Sequence, residues 1–139
     1  LRIDKLSMAA LAATLLHYVR EEATEKVPIW RMMAASGEKQ EATACGWRDR
    51  LGPRASVAQA LSTVGGGSLP METLPTWVLS LDVEGIEGGA EALTTRLRAG
   101  DPPVIGRIEE GRVLLDPRTV LLEEEESLMS VLKETLGRH

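Results

Sequence analysis

From Asp4 to Val19 the chain carries apolar side chains around most of a helical cylinder, and no other stretch constrains the fold as strongly. Met8, Leu11, Leu15, Tyr18 and Val19 recur at three- and four-residue steps, and Leu6, Ala9, Ala13 and Leu16 make a second stripe. Lys5, Ser7, Thr14, His17 and Arg20 interrupt them, and Asp4 is placed as an N-cap. A helix that is apolar on most sides has to be buried on most sides. Two arrangements satisfy this: a long N-terminal helix laid over the chain's own sheet, or a helix lying against a partner or a further part of the protein. Both stay open at this point.

The next breaks are set by proline and glycine. A residue before proline avoids helical angles, so Val27-Pro28 stops the helical run, and Pro28 then opens a short segment to Ala35. Ser36 caps a third helix to about Leu51, with Ala44, Trp47 and Leu51 inward, and Gly52-Pro53 ends it. Residues 55–64 lack charge and read as a buried strand with Val57, Leu61 and Val64 as its heavier members. Trp77, Leu79, Leu81 and Val83 alternate with Val78, Ser80 and Asp82, the clearest strand pattern in the chain. A helix with Ala90, Leu93 and Leu97 inward follows. Then come two short strands around Glu110-Gly111, a tight-hairpin pair, and a last helix opened by Glu123 to Glu126 with Leu128, Leu132 and Leu136 as its seam. This order predicts an α+β fold: a small, mainly antiparallel sheet with helices on one face. The domain organisation expected is a helical segment over 1–53 and an α+β domain over 54–139.

Several function classes are excluded by composition. No apolar run approaches the roughly 20 residues that cross a bilayer, so no membrane partner is expected. Cys45 is the single cysteine, which rules out an internal disulfide framework and a Cys-based zinc site and fits a reducing, cytoplasmic setting. The net charge of -5 makes the chain as a whole a poor electrostatic match for nucleic acid.

The residues that carry chemistry form no complete set. Gly65-Gly66-Gly67-Ser68-Leu69-Pro70 lacks the spacing and the lysine of a nucleotide P-loop, leaving a flexible structural loop or a ligand-facing one. Arg107, Arg112 and Arg118 lie on or beside the tight hairpin, either as solvated strand-edge charges or as an anion cluster. His17 has no second ligand at metal spacing, and no histidine is placed to activate Cys45. Glu123 to Glu126 fit a solvated helix start. Neither a catalytic residue nor a metal shell is predicted.

Five motifs nevertheless occur together and in order: Leu1-Arg2-Ile3-Asp4-Lys5-Leu6, Pro28-Ile29-Trp30-Arg31-Met32, Gly65 to Pro70 with Leu74-Pro75-Thr76-Trp77, Leu97 to Arg107, and Leu114-Leu115-Asp116-Pro117-Arg118-Thr119-Val120. Taken together they resemble the C-terminal part of the bacterial selenocysteine synthase family, L-seryl-tRNA(Sec) selenium transferase. The chain departs from the family pattern at Leu122, where proline is usual, and in the loop from Gly85 to Gly89.

The resemblance implies the small domain of the aspartate-aminotransferase fold type, in a cytoplasmic homo-oligomer dependent on pyridoxal phosphate. Seryl-tRNA(Sec) and selenophosphate are its partners, and the β-hydroxyl of the seryl group is replaced by selenium. It also implies that the cofactor lysine lies upstream of Leu1, so that this piece binds no pyridoxal phosphate and is inactive alone. By the same resemblance Arg2 lines the anion side of the active site, where a planar guanidinium suits a compact polyanion. Gly65, Gly66, Gly67 and Ser68 approach the cofactor or acceptor end, and Arg118 is a further anion-side residue. Two other readings remain: a related pyridoxal-phosphate lyase acting on an amino sugar or amino acid, and a non-catalytic interaction domain.

Overall fold

The structure is a computed structural model and describes residues 3–63 and 72–137. The chain divides into two compact units, Leu1–Ala35 and Ser36–His139.

The first unit is helical, with α1 (Lys5–Val19), α2 (Ala23–Lys26) and α3 (Pro28–Ala34). Asp4 caps α1 as expected: one carboxylate oxygen accepts the backbone N–H groups of Leu6 and Ser7, each at 2.9 Å. Pro28 occupies the start of α3, where its missing N–H costs no intrahelical bond. Trp30 Nε1 donates to the Tyr18 hydroxyl at 2.6 Å, and His17 Nδ1 lies 2.8 Å from Glu22 Oε1. Nothing within this unit buries α1, whose Leu6 is 83% and Val19 78% exposed.

The second unit begins with α4 (Gly37–Leu51), capped by Ser36, whose Oγ accepts the Lys39 N–H at 3.3 Å. Gln40, Ala44 and Trp47, four and three residues apart, form its buried face. Gly52, at φ 72°, closes the helix in a conformation that a side chain would strain. Four strands follow, β1 (Ala55–Thr63), β2 (Thr73–Leu81), β3 (Arg107–Glu109) and β4 (Arg112–Leu115), in the sheet order β1-β2-β4-β3 with every neighbour antiparallel. Between β2 and β3 runs α5 (Gly89–Arg98), and α6 (Glu125–Gly137) comes last. Glu110 and Gly111, at φ 50° and 74°, join β3 to β4 in the two-residue turn with both φ positive that hairpins favour. The α+β organisation around an antiparallel sheet is the one expected.

Leu79 and Leu81 of β2 pair with Leu115 and Val113 of β4, and these four pack with Leu93 and Leu97 of α5, Met129 and Leu132 of α6, and Trp47. That core lies entirely within the second unit.

Two expectations about strand burial are corrected. β2 does not alternate between inside and outside: Thr76, Val78 and Ser80 are buried along with Leu79 and Leu81, because Gln40 of α4 meets the Thr76 face. β1 is not a buried strand, since it occupies the sheet edge; only Ala55 and Ser62 are buried, and Leu61 is 56% exposed. The boundary between the two compact units falls before α4.

Candidate functional site

β1 and β2 are the two flanks of the glycine-rich segment. Gly65, Gly66, Gly67 and Ser68 themselves, together with Arg2, lie outside the described residues. Arg118 is described, and a polar cluster forms around it where the flanks leave the sheet.

Asp116 is the centre of this cluster. It follows β4 directly and caps the short turn Pro117–Thr119, its Oδ1 accepting the Arg118 backbone N–H at 2.9 Å. The same oxygen lies 3.0 Å from Thr76 Oγ1 on β2, and Oδ2 accepts a short hydrogen bond from the Ser62 hydroxyl on β1. One carboxylate thereby ties both flanks to β4. Thr76 Oγ1 is also 3.0 Å from the side-chain amide of Gln40. A hydroxyl has a single proton. Both neighbours present oxygens, Asp116 Oδ1 and Gln40 Oε1, so that proton is shared between two acceptors.

Two arginines reach the same level of the hairpin. Leu61 and Pro75 are cross-strand partners; Arg107 Nη1 donates to the Leu61 carbonyl at 2.8 Å, and Arg118 Nη2 to the Pro75 carbonyl at 2.9 Å. Arg107 Nε stands 3.3 Å from Glu109 Oε2, so its charge is already partnered. Of the three arginines singled out from the sequence, the fold therefore brings Arg107 and Arg118 together, while Arg112 is exposed on β4. A groove of about 350 Å³ runs beside the cluster, between Gly37 at the start of α4 and Ala60, Thr76 and Trp77.

This arrangement fixes geometry; it does not attack. Ser62 donates to a carboxylate with no imidazole in the cluster, and His17 is engaged with Glu22. The His17 contact holds the Glu22 carboxyl below its ordinary range. Cys45 is half-buried on α4 beside the Arg48 guanidinium, whose pKa is raised chiefly by its hydrogen bond to Asp49. Among the described residues no group of three or more His, Cys, Asp or Glu side chains is arranged to hold a metal, and no helix is long and apolar enough to cross a membrane.

Among the described residues no enclosed amine is placed to hold pyridoxal phosphate. A cofactor imine needs an enclosed amine, and Lys5, Lys26, Lys39 and Lys133, the only lysines, are all exposed. None of them lines a described cavity.

Sequence reasoning passed over Asp116, Thr76, Ser62 and Gln40. The Asp116-Pro117 dipeptide is a turn signal, so Asp116 was recognisable as a cap. The other three have no local signature.

Comparison with known proteins gives a consistent picture. A family profile described as "SelA: L-seryl-tRNA selenium transferase" matches residues 1–121. The L-seryl-tRNA(Sec) selenium transferase of Geobacter sulfurreducens is 41% identical over 141 residues, which cover 96% of this chain and 30% of that protein. The protein of the same name from Moorella thermoacetica is 38% identical over 147 residues, with 98% of this chain and 30% of the relative covered. The chain thus spans about 30% of the length of the curated relatives it matches. Among solved structures, D-glucosaminate-6-phosphate ammonia-lyase superposes with a TM-score of 0.60 over 98% of this chain and 33% of that one, at 16% identity. That likeness concerns the fold.

Proposed function

The chain belongs to the L-seryl-tRNA selenium transferase family, and we propose that it supplies the C-terminal part, chiefly the small domain, of an enzyme that converts seryl-tRNA(Sec) to selenocysteinyl-tRNA(Sec) with selenophosphate. The observation that carries this reading is the identity of 41%, sustained over nearly the whole chain. In this reading the enzyme is a cytoplasmic homo-oligomer that uses pyridoxal phosphate. The cofactor amine belongs to the remainder of the polypeptide, as the exposure of all four lysines here favours.

The part this chain plays is positional. Arg2 binds the selenophosphate anion, for which two parallel N–H donors in a rigid fork are well matched. Gly65 to Ser68 approach the cofactor or the acceptor end of the tRNA. Asp116 and Arg118 hold the strands that flank this segment, through Ser62 and Thr76 and through the Pro75 carbonyl. Arg118 contributes to the anion side from that position.

The test uses the full-length enzyme with seryl-tRNA(Sec) and selenophosphate. Arg2→Ala is expected to retain loss of the seryl hydroxyl and to lose selenium addition; equal loss of both steps would remove Arg2 from its role. This chain alone, incubated with pyridoxal phosphate and reduced with borohydride, is expected to carry no site-specific adduct on Lys5, Lys26, Lys39 or Lys133. A stoichiometric adduct at one of them overturns the assignment of the cofactor amine to the rest of the polypeptide. Failure of the full-length enzyme to make selenocysteinyl-tRNA(Sec) overturns the proposal itself.

A further inference from the structure

Three of the six buried polar side chains among the described residues, Gln40, Ser62 and Thr76, lie in one chain of hydrogen bonds that meets the Asp116 carboxylate. Ser62 stands one residue before the end of β1 at Thr63, and Thr76 three residues after the start of β2 at Thr73. In the register Ser62↔Leu74 and Ala60↔Thr76 their side chains share one face, two positions apart along the strands, so a single carboxylate holds both. A slip by one residue would turn Ser62 to the face opposite Thr76 and break that hold. Gln40 brings a helix into the arrangement. It lies on the buried face of α4 with Ala44 and Trp47, and Trp47 belongs to the main core. Stability alone does not ask for an amide at this position. A buried amide exchanges its hydration for hydrogen bonds of small net worth, whereas an apolar side chain of the same length has no polar atom to satisfy. What a buried polar network supplies is one fixed arrangement of the groups it joins, here α4, both hairpin strands and the turn after β4.

Resting on the reading that the segment between these strands serves the acceptor end of seryl-tRNA(Sec), we infer that Gln40 is a positioning residue of the selenium-transfer reaction. Through Thr76 and Asp116 it fixes the end of the β1–β2 hairpin to α4. Gln40 touches no reacting group in this role. It acts on substrate binding, because a hairpin already held in its binding arrangement spares the substrate the cost of ordering it.

The experiment measures the steady-state kinetics of the full-length enzyme with seryl-tRNA(Sec) as the varied substrate and selenophosphate at saturation. Gln40→Met keeps the length and removes the amide. Its KM for seryl-tRNA(Sec) is expected to rise about fivefold, the equivalent of one net hydrogen bond, with kcat within about twofold of the wild type. Gln40→Glu, of the same shape, sets a second carboxylate on the Thr76 hydroxyl beside Asp116 and raises KM at least as much. Thr76→Val also raises KM, while Thr76→Ser, which keeps the hydroxyl, retains the wild-type value. Combining Gln40→Met with Thr76→Val costs no more than Thr76→Val alone, since both break the same bond. A side chain that only supports folding would lower the active fraction, and with it kcat at unchanged KM. That result overturns the inference. So do a wild-type KM in both Gln40 variants and a double variant in which the two effects add. A wild-type enzyme that makes no selenocysteinyl-tRNA(Sec) overturns the underlying reading instead.

Discussion

Thr76 shows how much the hairpin flanks depend on single atoms. Its hydroxyl is buried, 3.0 Å from Asp116 and 3.0 Å from Gln40, and each of these two acceptors loses one hydrogen bond if it goes. Thr76→Val keeps the shape and removes the hydroxyl, so Asp116, which keeps Ser62 and the Arg118 N–H, and the Gln40 amide oxygen each lose one hydrogen bond. The expected loss is about 1–3 kcal/mol of stability, read as a lower midpoint in urea at unchanged slope. An unchanged midpoint would mean that water replaces the hydroxyl. Glu110 offers the opposite case. It sits at φ 50° in the tight turn, a region where asparagine and glycine are at ease and glutamate is not. Glu110→Asn is expected to raise stability by about 0.5–1 kcal/mol, with a midpoint shifted upward in the same measurement. The turn was legible from Glu110-Gly111 because its chemistry is local. The Asp116 cluster was not, since its partners Ser62 and Thr76 stand 54 and 40 residues away and meet it only once the strand register is set.

Elements with a local stop or cap could be read directly. Asp4, Ser36, Pro28 and Gly52 each end or begin a helix where expected, because a cap needs only its neighbours. β1 was misread for an instructive reason: freedom from charge is shared by a strand buried in a sheet and by an edge strand whose flank a neighbouring side chain covers, as Arg107 covers the Leu61 carbonyl. Residue pattern alone does not separate these cases; the sheet order does. The α1 cap also has a pH signature. The Asp4 carboxyl is held below its ordinary value of 3.8, first by the Ser7 hydroxyl and then by the Ser7 backbone N–H. A depressed folded value means that the cap stabilises fully above pH 3.8 and loses its effect as pH falls through the lower folded value. Asp4→Asn keeps a capping oxygen but cannot titrate there. The difference in helical ellipticity between the two proteins is expected to be flat above that pH and to change below it. A difference that varies near neutrality would assign the cap's effect to another group.

At the scale of the molecule, the core and the apolar helix belong to different units. Every member of the main core, from Trp47 to Leu136, lies in Ser36–His139, while α1 contributes no buried residue. Burial of apolar area is the dominant favourable term in folding, so stability should reside almost wholly in the second unit. A polypeptide of residues 36–139 is therefore expected to unfold cooperatively in urea, with a midpoint close to that of the full chain. Its slope should be only slightly smaller, because little buried surface has been removed. The same truncation takes away Leu6 and Val19, 83% and 78% exposed, and should diminish non-specific self-association. Loss of cooperativity would show instead that the first 35 residues complete the fold. The two outcomes also weigh on what covers α1. If residues 36–139 fold unaided, the apolar cylinder from Lys5 to Val19 is not needed for this domain, and its composition is accounted for by a surface in the part of a selenium transferase that this chain does not span.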